Sequence, residues 1–391
     1  MTLPIRTLVA TAVLLGPFTS VPAAAAATRC SVSVPYAAGR DGYASYRIPA
    51  AVATRRGTLL AFAEGRRDGA GDTGDIDIVL RRSTDGGCTW DPLTVVAAGA
   101  GHTRGNPAPV VDPRTGAVVL VSCSNEGTAT EAEIMRGEAP VRRVHVQHSW
   151  DDGRRFTAPR DITDDVRLPS WRWYATGPGH ALALTRGPYA GRLVVPANHS
   201  AAPPAGSPDT GRESRYYGAH ALVSDDGGGH WRLGFVDGAY DGTVNANEST
   251  AAQLLDGTLY FNARDQGGTA PGNRLDAFSR DGGDTLVRPY APQPTLADVP
   301  VVQGSVLQLD RPDGPLLFSG PAEPTARRSL TVRRGTGTGA GVDFTPAVTL
   351  STLPAAYSDL VPLDTGTTGV LYETGAAGPY ETIEFRRLEG L

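Results

Sequence analysis

Ser83-Thr84-Asp85-Gly86-Gly87-Cys88-Thr89-Trp90 has the form Ser-x-Asp-x-Gly-x-x-Trp, and the pattern returns three more times along the chain. Ser149, Asp151, Gly153 and Phe156 make a second copy; Ser224, Asp226, Gly228 and Trp231 make a third. Ser279, Asp281 and Gly283 make a fourth, with Leu286 in the aromatic place. The chemistry is that of a turn. Short oxygen-bearing side chains bond nearby backbone amides, glycine reaches the angles a tight turn needs, and the closing aromatic packs inward. The motif therefore reads as a structural staple with no part in catalysis. Its serines stand 66, 75 and 55 residues apart. Repetition on this scale marks propeller blades, and at about 60 residues per blade the chain holds about six.

The sequence between the copies agrees. Thr58-Leu59-Leu60-Ala61-Phe62, Ala117-Val118-Val119-Leu120-Val121 and Thr258-Leu259-Tyr260-Phe261 read as strands. Arg56-Gly57, Thr115-Gly116 and Asp256-Gly257 supply the turns that introduce them. The 48 glycines and 31 prolines are spread along the chain, and no long amphipathic helix is expected. The expectation is an all-β, six-bladed β-propeller over residues 28–391, with no separate binding domain.

Residues 1–27 read as a signal peptide. Arg6 gives the positive start, Leu8 to Leu15 a short apolar core, and Ala23 to Ala27 the small residues of a cleavage site. The apolar run is too short to span a bilayer. Export to the extracellular space is expected, without a membrane anchor. Cys30, Cys88 and Cys123 then allow one disulfide and one free thiol, and the sequence leaves the pairing open. Their spacing fits no zinc motif.

Charge excludes several functions. All 36 basic residues are arginine, so neither a Schiff-base lysine nor a P-loop lysine exists. The net charge is -5 and no long basic run is present, which speaks against a nucleic-acid partner.

Tyr46-Arg47-Ile48-Pro49, lying 36 residues before the first Ser-x-Asp box, resembles the Phe/Tyr-Arg-Ile-Pro signature of bacterial sialidases, whose Asp boxes the repeated motif also resembles. The resemblance covers essentially the whole mature chain and implies a site, residue by residue. In Glu64 to Ile78 it implies Arg66 as a sugar contact and Asp72 as acid/base, with Asp75 and Asp77 close competitors. Asn245-Ala246-Asn247-Glu248-Ser249 and the strand ending at Arg264 resemble the family's glutamate and second arginine. Tyr357 in Ala356-Tyr357-Ser358-Asp359 resembles the catalytic tyrosine, and Glu373 the glutamate that orients Arg47. The third arginine is taken as Arg327 by its offset from Val332, with Arg328 as the alternative. Asn106 resembles a contact to a ring hydroxyl. Trp171 to Gly179 resembles a segment near the acetamido and glycerol pockets, with Trp173 and Tyr174 as contacts and the alternative that one or both tryptophans serve the blade core.

The chemistry of this set is coherent. Guanidinium forks match a carboxylate and keep their charge. A sugar bearing a carboxylate on its anomeric carbon repels an anionic nucleophile, and sialidases are an exception that uses tyrosine. A phenol with pKa near 10 needs a base, here Glu248. Asp72 would protonate the leaving oxygen and then deprotonate water, and two displacements give retention. The resemblance implies an exo-α-sialidase acting on sialylated glycans without metal or cofactor, as a monomer. The competing expectations are a trans-sialidase, a hydrolase of deaminated sialic acid, and a non-catalytic glycan-binding propeller.

Overall fold

In a computed structural model of the chain, the described residues are Met1, 30–339, 341–364 and 366–391. The predicted signal peptide, Met1 apart, lies outside them. Strand-forming runs bounded by glycine turns fold as successive antiparallel meanders, six in all among the described residues. The first blade is Ser45–Ala53, Leu59–Arg66, Ile76–Ser83 and Thr94–Ala97. The second is Thr103–Val111, Val118–Asn125, Arg143–Ser149 and Arg160–Asp161. In the third, Trp171–Thr176 and Leu182–Ala183 share the inner position, followed by Leu193–Ala201, Tyr217–Ser224 and Arg232–Asp237. Ala246–Gln253, Leu259–Asp265, Arg274–Ser279 and Ala291–Pro292 form the fourth. Ser305–Gln308, Leu316–Pro321, Leu330–Thr338 and Gly341–Thr349 form the fifth. The sixth takes Ala355–Asp364, Thr367–Thr374 and Thr382–Glu389, and its outer strand is Val32–Ala37 from the other end of the chain. The first strand of each blade faces the axis, and these inner strands contact one another around the ring. The fold is a β-propeller.

Apolar clusters fill the spaces between blades. Ala50, Leu60, Phe62 and Ile78 of the first blade meet Val118 and Leu120 of the second. Val119, Val121 and Val146 of the second meet Trp171, Val195 and Leu222 of the third. Each fully buried side chain of this kind contributes roughly 1.5–3 kcal/mol.

The Ser-x-Asp boxes are the turns between third and fourth strands of the first four blades, on the face opposite the axial cavity. Ser83 Oγ accepts from Gly87 N at 2.8 Å, and Asp85 Oδ1 accepts from Thr89 N at 2.9 Å. The later copies repeat this: Gly153 and Gly228 donate to Ser149 and Ser224, and Gly283 to Ser279. Cys30 and Cys88 form the disulfide, tying the start of the closing strand to the first box, while Cys123 is a buried free thiol.

Five inner strands break register at their cavity end: between Arg47 and Ala50, Gly105 and Ala108, Trp171 and Tyr174, Ala246 and Ser249, and Ala355 and Ser358. Such bulges bend a strand and re-aim its side chains. Ile48 and Asn106 sit at φ 60 and 53°, the left-handed region that bulky side chains avoid. The irregular intervals contain or border Arg47, Asn106, Trp173, Glu248 and Tyr357.

Candidate active site

The bulged strand ends and the loops joining second to third strands enclose an axial cavity of about 220 Å³. Arg47, Arg66, Asp72, Asn106, Trp173, Glu248, Arg264, Arg327 and Tyr357 all line it.

Tyr357 and Glu248, 109 residues apart, meet here: the phenol donates to Glu248 Oε1 at 2.5 Å. Arg264 Nη1 donates to Glu248 Oε2 at 2.9 Å and approaches the Tyr357 hydroxyl at 3.5 Å. Burial and the Glu248 charge push the phenol's pKa well above its ordinary value, with Arg264 and Arg47 opposing. Tyr357 therefore rests protonated, with its hydroxyl proton directed at a carboxylate oxygen.

Arg47 is 5% exposed. Its Nε donates to Glu373 Oε1 at 2.8 Å, and Ile48 N donates to the same oxygen at 2.9 Å. Glu373 Oε2 accepts from Tyr357 N at 3.1 Å. One buried carboxylate thus fixes both Arg47 and the backbone of Tyr357. Burial disfavours the Arg47 charge, but Glu373, Tyr357 and Tyr380 outweigh it and hold its pKa above the usual arginine value. Arg327 lies in the cavity, its guanidinium carbon 6.0 Å from the Tyr357 ring centroid. Arg328 instead points outward to Thr352 O and Glu323.

Asp72 stands at the rim with its side chain 77% exposed. Enclosure by the cavity walls raises its pKa, but Arg66 and Arg47 outweigh this and leave it lowered. Arg66 donates through Nη1 to Asp72 Oδ1 at 2.7 Å and to the carbonyls of Ala70 and Gly71. Its Nε and Nη2 donate to buried Glu64. The expected sugar contact is thus also a clasp on the Asp72 loop. Asp75 and Asp77 face away, towards Arg67 and the amides of Gly101 and Gly99.

Asn106 accepts from Arg142 Nη1 on its side-chain oxygen at 2.7 Å. Trp173 lies over the Arg142 guanidinium, 4.3 Å from ring centroid to carbon. Tyr174 requires a correction. It is 0% exposed, packs beside Trp171 and His220, and donates to Val166 O. The register break after Trp171 turns Trp171 and Tyr174 both into the core and leaves Trp173 and Ala175 on the cavity side. Only the Tyr174 carbonyl approaches the site, accepting from Arg142.

Several lining residues escaped the sequence reading: Glu64, Glu131, Arg142, Tyr217 and Tyr380. Glu131 opens the helix Glu131–Arg136 behind a Thr130/Glu133 capping box, a legible signal. Burial pushes its carboxyl up, and Tyr217 donates to it at 2.6 Å. Arg142 and Tyr380 lie in loops whose sequence carries no pattern.

Three guanidiniums around a phenol–carboxylate pair, on the axis of a propeller, define a protein that handles an anionic ligand. A BNR repeat-like domain matches residues 57–370. The sialidase of Micromonospora viridifaciens is 32% identical over 372 residues, covering 90% of this chain and 53% of that protein, so the chain spans about half of that relative's length. The exo-alpha-sialidase of Aspergillus fumigatus is 34% identical over 313 residues, covering 75% of this chain and 68% of that one. The solved Hadza microbial sialidase Hz136 superposes with a TM-score of 0.74 at 26% identity, over 90% of this chain and 67% of that one. The chain belongs to the sialidase family of BNR-repeat, Asp-box propellers.

Proposed function

We propose that this protein is a retaining exo-α-sialidase that hydrolyses terminal sialic acid from glycoproteins, glycolipids or oligosaccharides, exported and acting as a monomer. The observation that carries the reading is the 2.5 Å bond from Tyr357 to Glu248 beside Arg47, Arg264 and Arg327. The arginines take the sugar carboxylate, and bidentate forks fix its orientation. Glu248 accepts the Tyr357 proton as the phenolic oxygen attacks the anomeric carbon, so a neutral nucleophile approaches an anionic sugar. The high resting pKa of Tyr357 means that proton transfer and attack belong together, with Arg264 beside the oxygen as its charge grows. Asp72 protonates the departing glycosidic oxygen and later activates water. For the acid step it must be protonated, although Arg66 and Arg47 favour its anion in the unliganded site. A bound carboxylate neutralises part of that positive field and moves Asp72 towards its acid form. The Cys30–Cys88 disulfide supports an oxidising destination.

Release of the fluorophore from a sialyl aryl glycoside tests the activity, and Tyr357→Phe tests the assignment. Phe keeps the ring and removes the nucleophile, so turnover falls about 10³-fold or more. Wild-type-like turnover by the variant rejects Tyr357 as nucleophile. Product analysis with lactose present separates hydrolysis from transfer, since a sialyllactose product in excess over free sialic acid would make the protein a transferase.

A further inference from the structure

Tyr380 lies in the turn between Thr367–Thr374 and Thr382–Glu389 and lines the axial cavity. Its ring lies over Arg47, with the guanidinium carbon 3.9 Å from the ring centroid. Its hydroxyl accepts from Arg327 Nη1 at 3.0 Å. One side chain from the sixth blade thus touches arginines of the first and fifth. A phenol that accepts a hydrogen bond still carries its own proton. Among the described residues that proton has no acceptor. The arginines beside it are donors only, and Glu373 already receives Arg47 Nε, Ile48 N and Tyr357 N. Among the described residues, the other hydrogen bond of the Arg327 guanidinium is from Nη2 to Val301 O.

We propose that Tyr380 is a fourth, uncharged donor to the substrate carboxylate, and that it sets Arg47 and Arg327 in their relative orientation. This rests on the reading that a sialic acid carboxylate occupies the arginine cluster. The chemistry favours a phenol here. A fourth cation would add repulsion to three converging guanidiniums, whereas a hydroxyl adds a donor and no charge. The ring also restrains the Arg47 plane by a cation–π contact, leaving its Nη atoms to fork the carboxylate while Nε stays on Glu373.

The test compares wild type, Tyr380→Phe and Tyr380→Leu by calorimetry with 2,3-dehydro-2-deoxy-N-acetylneuraminic acid and with its methyl ester, alongside kcat and KM on a sialyl aryl glycoside. Tyr380→Phe keeps the ring, and its binding of the free acid weakens about 10- to 100-fold, the size expected for a lost hydrogen bond to a charged group. The methyl ester lacks the charged acceptor, so its affinity changes far less. KM rises more than kcat falls, because the carboxylate is held alike in ground and transition states. Tyr380→Leu frees the Arg47 plane as well and weakens acid binding further. Equal losses for acid and ester, or acid binding by Tyr380→Phe within about twofold of wild type, overturn the proposal. A wild-type protein that neither binds the acid nor cleaves the sialoside overturns the sialidase reading instead, so the two failures are distinct.

Discussion

Replacing Glu373 by glutamine tests the idea that one buried carboxylate organises both the anion grip and the nucleophile. Glu373 is 0% exposed and receives three donors: Arg47 Nε and Ile48 N on one oxygen, Tyr357 N on the other. Glutamine has the same shape but only one acceptor. With its oxygen towards Arg47, its NH₂ meets the Tyr357 amide donor to donor; flipped, it loses both other bonds. In either pose Arg47 loses its buried counter-charge, and breaking such a pair costs about 3–5 kcal/mol. At about 2.1 cal/mol/K per residue over roughly 360 folded residues, the unfolding entropy is ~0.8 kcal/mol/K, so Tm falls by about 4–7 °C. Activity falls too, because a guanidinium freed at Nε no longer presents a fixed fork. A loss of ~2–3 kcal/mol in transition-state binding lowers kcat/KM roughly 30- to 150-fold. Calorimetric melting and initial rates on a sialyl aryl glycoside measure the two effects on one preparation. A variant melting within about 1 °C of wild type with kcat/KM within about threefold refutes the reasoning.

Asp72→Asn removes the proposed proton donor at the rim, so the loss depends on the leaving group. Sialyllactose, whose alcohol needs a proton, slows by about 10²–10⁴-fold, and an aryl glycoside with an acidic phenol slows at least tenfold less; equal losses on both sinks the acid role. The box aspartates predict acid lability. Burial raises the pKa of Asp85 and Asp226, but hydrogen bonds from Thr89 and from His230 outweigh it and bring both to about 2. Their folded pKa lies below the unfolded value near 4, so their stabilisation is complete above that value and is lost as pH falls through about 2. The urea midpoint should drop over that window, and Asp85→Asn/Asp226→Asn should flatten the drop; an unchanged slope counts against the staple.

The propeller was legible because its turns are local. Ser83, Asp85 and Gly87 bond within five residues, so their pattern survives in the sequence. Arg47, Glu248, Arg264 and Tyr357 were legible through motifs on inner and second strands, Asp72 through the loop that follows one, and the cavity gathers them. Tyr174 was misread because the resemblance marked a segment rather than a face: neighbouring residues of a strand point to opposite sides, so with Trp173 at the cavity Tyr174 turns into the core, where the register break sets it beside Trp171. Arg142 and Tyr380 were invisible for another reason. Their partners, Asn106 and Trp173 for one, Arg47 and Arg327 for the other, are brought near only by tertiary structure.

The outer strand of the sixth blade comes from Val32–Ala37, while its other three come from the far end of the chain. Arg47 and its partner Glu373 are 326 residues apart. Arg47 and the backbone of Tyr357 are therefore joined by the same event that shuts the ring. Five finished blades contain Glu248, Arg264, Arg327 and Asp72, and yet neither Tyr357 nor the carboxylate that aims Arg47. The proposed active site has no half-built form in this architecture. During synthesis the cavity is completed only when the sixth blade has paired its three later strands with Val32–Ala37, so the gathered site reports that the circle is closed.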